Sequence, residues 1–323
     1  MRFQQQLARL VTRVATGVLA AAVLASCGGG TYQVQAFKPA RILSFGDENS
    51  LLVPPDGAKY SINGISTTTD LVDCTVLPMW FQILATSYTM VYPECNPEGD
   101  TAPAARSLAA VGATVDDVGA QVDNFATTEG FAGNDLVTIY AGVNDLLQVY
   151  ASGAGGDNTG LLVEMRARAV TLANIVNNLT ATGAKVLLLT IPDMGDSPFA
   201  QTENERGDFD RVTLLSQMSD AFNRSLRSAI INDGSKIGLV LVDDFVHNAA
   251  RSPLSYGLTS YNIAGCVDTA PLPSCTTDTI VSDPLTGVAN AAQYLWADAT
   301  HLSAVAQQQI GNQAVTRAHS NPF

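Results

Sequence analysis

Residues Ala184–Ile191 form a nearly continuous apolar run, and the segment before it, Leu161–Ala181, carries Leu162, Met165, Ala169, Leu172, Ile175, Val176 and Leu179 at helical spacing. A strand apolar on both faces has to be covered on both faces, and a long amphipathic helix leading into it supplies one cover. The same alternation recurs along the chain. Arg41–Phe45 reads as a strand ending in the turn Gly46-Asp47, and Asp135–Ala141 as a buried strand ending at Gly142. Ile237–Val242 is a fourth strand. Leu77–Met90, Val115–Phe125, Val212–Ile231 and Leu302–Ala318 read as helices, Val115–Phe125 with Val115, Val118, Val122 and Phe125 on one face. Strands separated by long helices predict one α/β domain, a parallel sheet inside three αβα layers. Ser152–Gly160 is a loop, and no linker divides the region.

The first residues stand outside that pattern. Arg2, Arg9 and Arg13 precede an apolar stretch, Val14–Ala25, that is too short to span a bilayer comfortably. It ends in Leu24-Ala25-Ser26-Cys27, followed by three glycines. This is similar to a bacterial lipoprotein signal, which implies removal of residues 1–26 and lipidation of Cys27. Residues 27–39 then form a tether and 40–323 the domain. The lipid would attach the protein to a membrane, and Gly28 after the cysteine favours the outer one. Four cysteines remain, Cys74, Cys95, Cys266 and Cys275, and an even number in an exported chain reads as two disulfides. Pairing by proximity, Cys74–Cys95 and Cys266–Cys275, is the simplest of three arrangements. A zinc site is the competing use, without Cys-x-x-Cys spacing to support it.

Charge narrows the function. With 30 acidic against 17 basic side chains the net charge is −13, which excludes a nucleic-acid binder and a polybasic membrane-surface protein. Three histidines leave little for a multi-histidine metal centre, and no cofactor is implied.

In an open parallel sheet, chemistry gathers beyond the carboxyl ends of the strands. Those ends are Phe45-Gly46-Asp47-Glu48, Gly142-Val143-Asn144-Asp145 and Pro192-Asp193-Met194-Gly195-Asp196-Ser197, joined by Asp298-Ala299-Thr300-His301 before the last helix. Taken in order, with Ala110-Val111-Gly112-Ala113 between the first two, they resemble the SGNH or GDSL hydrolases. The resemblance runs from about Arg41 to Ala318. It implies a flavodoxin-like SGNH fold, hydrolysis of a small-molecule ester, lipid or acylated carbohydrate, oxyanion donors at Gly112 and Asn144, and an acid–base pair in Asp298 and His301. A second Asp-x-x-His, Asp244–His247, reads as surface, and His319 as part of a solvated tail.

The departure lies at Glu48, which stands where that family has its nucleophilic serine. A carboxylate has no proton for a histidine to take at pH 7, so ordinary serine hydrolysis is excluded there. An imidazole between Glu48 and Asp298 would be held as imidazolium, a poor base. Ser50 points about 200° away from Glu48 in a helical start, and Ser44 lies about 13 Å back along the strand. Ser197, in a literal Gly-Asp-Ser, is the remaining nucleophile candidate, though it falls after the Asn144 block. Three readings follow. In the first, Glu48 is a carboxylate nucleophile or a base for water in an ester hydrolase. In the second, a catalytically inactive cleft binds an acyl or glycan ligand. In the third, Asp47, Glu48, Asn144 and His301 hold a divalent cation.

Overall fold

The computed structural model describes residues 36–282 and 287–320; the leader, Cys27 and most of the tether lie outside them. Nine strands occur among the described residues: β1 (Arg41–Gly46), β2 (Leu52–Val53), β3 (Ala58–Lys59), β4 (Ala105–Ser107), β5 (Asp135–Tyr140), β6 (Lys185–Leu189), β7 (Ile237–Val240), β8 (Ser260–Ala264) and β9 (Tyr294–Trp296). The helices are α1 (Trp80–Ser87), α2 (Val115–Thr128), α3 (Val143–Gly153), α4 (Asn158–Thr180), α5 (Pro198–Asn204), α6 (Arg211–Ala229), α7 (Val242–Arg251) and α8 (Ala304–Ser320). Five strands make one sheet in the order β4-β1-β5-β6-β7, and every neighbouring pair in it is parallel. Helix α4 packs on both α2 and α6, and α1 packs on α8. This is the covered parallel sheet that the apolar runs require: β5 is buried along its whole length, and β6 everywhere but its first residue.

Several elements differ from the periodicity. Met79 precedes α1 with extended backbone and the helix ends at Ser87, so it is shorter than Leu77–Met90. The segment after Gly142 is a full helix, α3, which takes up the first part of the expected loop 152–160. Its start carries Asn144 and Asp145, polar residues that read as a site motif and conceal the helical register.

Both disulfides form, Cys74–Cys95 and Cys266–Cys275. The second ties the excursion that holds β8 and β9, a parallel pair outside the main sheet. Around it Ile62, Cys266, Cys275, Ile280, Tyr294, Ala297 and Ala304 form a small separate core. Its hydrogen bonds, Gly265 N–H to Trp296 O at 2.9 Å and Cys266 N–H to Ala297 O at 2.8 Å, hold the chain just before Asp298. Small excursions with little core of their own gain most from such a cross-link.

The turn after β1 is set by close backbone approach. Gly46 has φ +139°, and a Cβ there would sit 2.0 Å from the carbonyl oxygen of Tyr140 on β5. Gln121 of α2 clamps the same residue, accepting from Gly46 N–H and donating to Gly46 O, each at 3.0 Å. Gly46→Ala forces strand β1 off its neighbour and is expected to lower the unfolding free energy by more than about 2 kcal/mol. Urea denaturation measures it; a change under about 0.5 kcal/mol would show that the strand ends are looser than this contact requires.

Candidate active site

Glu48, Gly112, Asn144, Asp298 and His301 converge at the carboxyl ends of β1 and β5. Asp47 is buried and caps the short 3-10 turn Glu48–Ser50, accepting from Asn49 N–H at 3.0 Å and Asn49 Nδ2 at 2.9 Å. The turn delivers Glu48 to the cleft. Asn144 sits in the first turn of α3, behind Gly142, whose φ of +124° turns the chain out of β5. Gly112, with φ +73°, lies in the loop before α2. That loop is fixed by Asp145, whose Oδ2 accepts from Val115 N–H at 2.9 Å and whose Oδ1 pairs with Arg168 at 2.9 Å. Burial raises the Asp145 carboxyl against the pull of Arg168. Sequence reading treated Asp145 as part of a motif and missed this positioning role.

The Asp298 carboxylate organises its own turn. Its Oδ1 accepts from His301 N–H at 2.7 Å and Thr300 N–H at 2.8 Å, and the carboxylate also meets His301 Nδ1 at 2.9–3.0 Å. The other ring nitrogen, Nε2, faces Glu48 Oε1 at 3.1 Å. The ring of Tyr60 lies alongside, its centroid 5.9 Å from that of His301. No motif flagged Tyr60.

Glu48 is thus gripped from three sides. Gly112 N–H donates to its Oε2 at 2.7 Å, Asn144 Nδ2 donates to Oε2 at 3.2 Å and more loosely to Oε1 at 3.4 Å, and His301 supplies the third donor. Its side chain is 9% exposed and that of His301 15%. Burial alone would neutralise the histidine, but hydrogen bonds and charge from Asp298 and Glu48 override it and raise the ring to about 10. Burial likewise works against ionisation of Glu48 and Asp298, and contacts with His301 outweigh it, so both carboxyls lie below their usual values. The site is an imidazolium between two carboxylates at neutral pH. Asp47 behaves oppositely: burial, then the neighbouring charge of Glu48, pushes it up to about 7.

The other candidates lie elsewhere. Ser197 is fully buried and caps α5, its Oγ donating to Met194 O at 2.6 Å and accepting from Ala200 N–H at 3.1 Å, so it is a structural serine with its hydroxyl already engaged. Ser44 bonds Tyr92 and Thr138 inside the core. His247 is exposed on α7 beside Arg251, and His319, exposed near the end of α8, stacks on Tyr88 with ring centroids 4.4 Å apart. A cation at Asp47, Glu48, Asn144 and His301 does not fit, because Asp47 turns to Asn49 and both His301 nitrogens face carboxylates. Among the described residues, the group whose ligand atoms come close enough for a metal is Asp193, Asp196 and His247, within 4.8 Å of one another.

The sequence model of the GDSL-like lipase/acylhydrolase family matches residues 80–314. Since that spans most of the chain, the protein belongs to this family. The match begins after Glu48, so the departing block lies outside it. Among solved structures, the chain is similar to a lipolytic G-D-S-L family protein from Veillonella parvula, at 13% identity over 85% of this chain and 96% of that one, with a TM-score of 0.43. It is also similar to the lipase Lip_vut3 from a goat rumen metagenome, at 13% identity over 86% and 97%, TM-score 0.48. A third is an acetyl xylan esterase from Geobacillus stearothermophilus, at 15% identity over 88% and 96%, TM-score 0.40. A search of curated protein sequences finds no match.

The raised histidine makes a pH prediction. A folded-state value near 10 against about 6.5 unfolded gives stability that is full below about pH 6.5 and lost as pH climbs towards 10. Burial pushes Lys59 down to about 8, and that contributes the opposite slope from about pH 8 upward. Comparison with Glu48→Gln isolates the histidine: the variant's loss should move to lower pH. Unchanged profiles in urea titrations from pH 6 to 10 would mean that Glu48 does not charge the ring.

Proposed function

We propose that this protein is an exported, lipid-anchored member of the GDSL esterase family, that its cleft receives acyl esters of lipids or carbohydrates, and that Glu48 has turned the site from serine hydrolysis to ligand binding. The observation carrying this reading is the seat of the Glu48 carboxylate, which takes the Gly112 and Asn144 donors while pairing with His301. An ester hydrolase needs those donors free for the carbonyl oxygen that becomes negative in the tetrahedral intermediate. It also needs a histidine able to accept a proton, which an imidazolium cannot do. Export and lipid attachment are supported by the leader pattern ending at Cys27 and by the paired cysteines, which suit an oxidising compartment.

One observation favours a hydrolytic second reading: the Asp298–His301 pair and both donors are intact. In that case Glu48 swings off Gly112 and Asn144, the ester carbonyl takes its place, and the carboxylate attacks the acyl carbon or takes a proton from water. His301 then protonates the leaving oxygen.

Restoring the serine separates the two. Glu48→Ser is expected to raise hydrolysis of p-nitrophenyl acetate by at least about 100-fold over the wild type, a gain abolished by adding His301→Ala. A silent Glu48→Ser protein would overturn the assignment of Gly112 and Asn144 as oxyanion donors. A wild-type rate that falls when His301 alone becomes Ala would select the hydrolytic reading.

A further inference from the structure

A cavity of about 540 Å³ is bounded by α3, α5 and the start of α6, with Leu147, Tyr150, Phe199, Glu203, Arg206 and Arg211 in its wall, together with Thr300. Its volume is within the about 300–1,000 Å³ typical of small-molecule sites. Two of its walls are shared with the active site. Helix α3 carries Asn144 in its first turn and runs on into Leu147 and Tyr150. Thr300 precedes His301 and places its Oγ1 3.2 Å from His301 Nδ1. Phe199 N–H also donates to Ala299 O at 3.0 Å, fastening α5 to the Asp298–His301 turn.

The chemistry of the wall is an ordered polar chain. Arg211 Nη1 donates to Tyr150 Oη at 2.7 Å, and Tyr150 Oη donates to Glu203 Oε2 at 2.8 Å. Arg206 Nη2 donates to Glu203 Oε1 at 2.7 Å. Behind them Asp208 holds Arg211 through Nε at 3.1 Å and Nη2 at 2.7 Å. Two guanidinium groups therefore meet two carboxylates, and the wall offers no excess charge to an anionic headgroup. An alkyl chain would strip water from paired charges without replacing their hydrogen bonds, which is costly. A neutral, hydroxyl-rich ligand suffers neither penalty. Glu203 retains acceptor capacity, Arg206 has its side chain 60% exposed with N–H groups to spare, and the Tyr150 and Phe199 rings, 5.6 Å apart edge to face, supply an apolar surface for sugar C–H groups.

We infer that this cavity is a saccharide subsite, in which Tyr150, Glu203 and Arg206 hold the sugar of an O-acylated carbohydrate whose acyl group points to His301. The inference rests on the reading of the cleft as an acyl-ester site and narrows its ligands from lipid or carbohydrate to carbohydrate.

Isothermal titration of the purified protein with O-acetylated xylotriose, unacetylated xylotriose and dihexanoyl-phosphatidylcholine tests it. Both saccharides should bind, the acetylated one more tightly, and the lipid should not compete. Glu203→Gln and the surface variant Arg206→Ala should each weaken saccharide binding by at least about tenfold, and the Arg206→Ala protein should keep a melting temperature near that of the wild type. Unchanged affinity in the folded Arg206→Ala protein, or displacement of saccharide by the lipid, would overturn the assignment. The parent reading fails separately. If Glu48→Ser is an active esterase and neither saccharide binds, the subsite is wrong and the acyl-ester cleft stands. If Glu48→Ser is silent while xylotriose binding still depends on Arg206, the subsite stands and the acyl-ester reading falls.

Discussion

A carboxylate seated on the Gly112 and Asn144 donors and on His301 is the interaction on which the rest of this site depends. Glu48 brings to Gly112 and Asn144 a full negative charge in the resting protein. In a hydrolase that charge would develop there only during the reaction. Catalysis comes from interactions stronger in the transition state than in the ground state, and donors already satisfied by an ion have nothing further to offer. Asp298 and, after it, Glu48 raise His301 to about 10 against the effect of burial, and so favour the charged ring. In the binding reading proposed above, one side chain removes the nucleophile, the vacant hole and the base together.

Much of the fold serves to hold that arrangement. The tight approach of Gly46 to Tyr140 and the Gln121 clamp set where the chain leaves β1, and Asp47 then turns Glu48 into the cleft. Asp145 and Arg168 fix the loop carrying Gly112 against the start of α3. The Cys266–Cys275 excursion supports the strand that ends beside Asp298. These contacts come from segments far apart in sequence, and none of them involves the Glu48 side chain.

The layers of the fold and the members of the site were legible in the sequence for different reasons. Apolar runs such as Ala184–Ile191 record burial on both faces, and residues at strand ends record chemistry, so β1, β5, β6, β7, Asn144, Asp298 and His301 could be read directly, while the three-residue edge strand β4 could not. Helices α3, α5 and α7 were not, because residues 143–145, 197 and 244–247 carry polar groups that mimic motifs. Ser197 shows the cost: Gly-Asp-Ser is also a good helix-capping sequence, and capping is its use here. Tyr60, Asp145 and the Tyr150–Glu203–Arg211 chain gave no local signal. Their roles depend on contacts between distant segments, such as Tyr150 with Glu203 and Arg211.

The charge state of His301 tests the account most directly. Nitrogen-15 NMR of the histidine ring in the wild-type protein at pH 8 should find both Nδ1 and Nε2 protonated, as a ring raised to about 10 between two carboxylates requires. A neutral ring at that pH, with one nitrogen unprotonated, would contradict it and return His301 to service as a base.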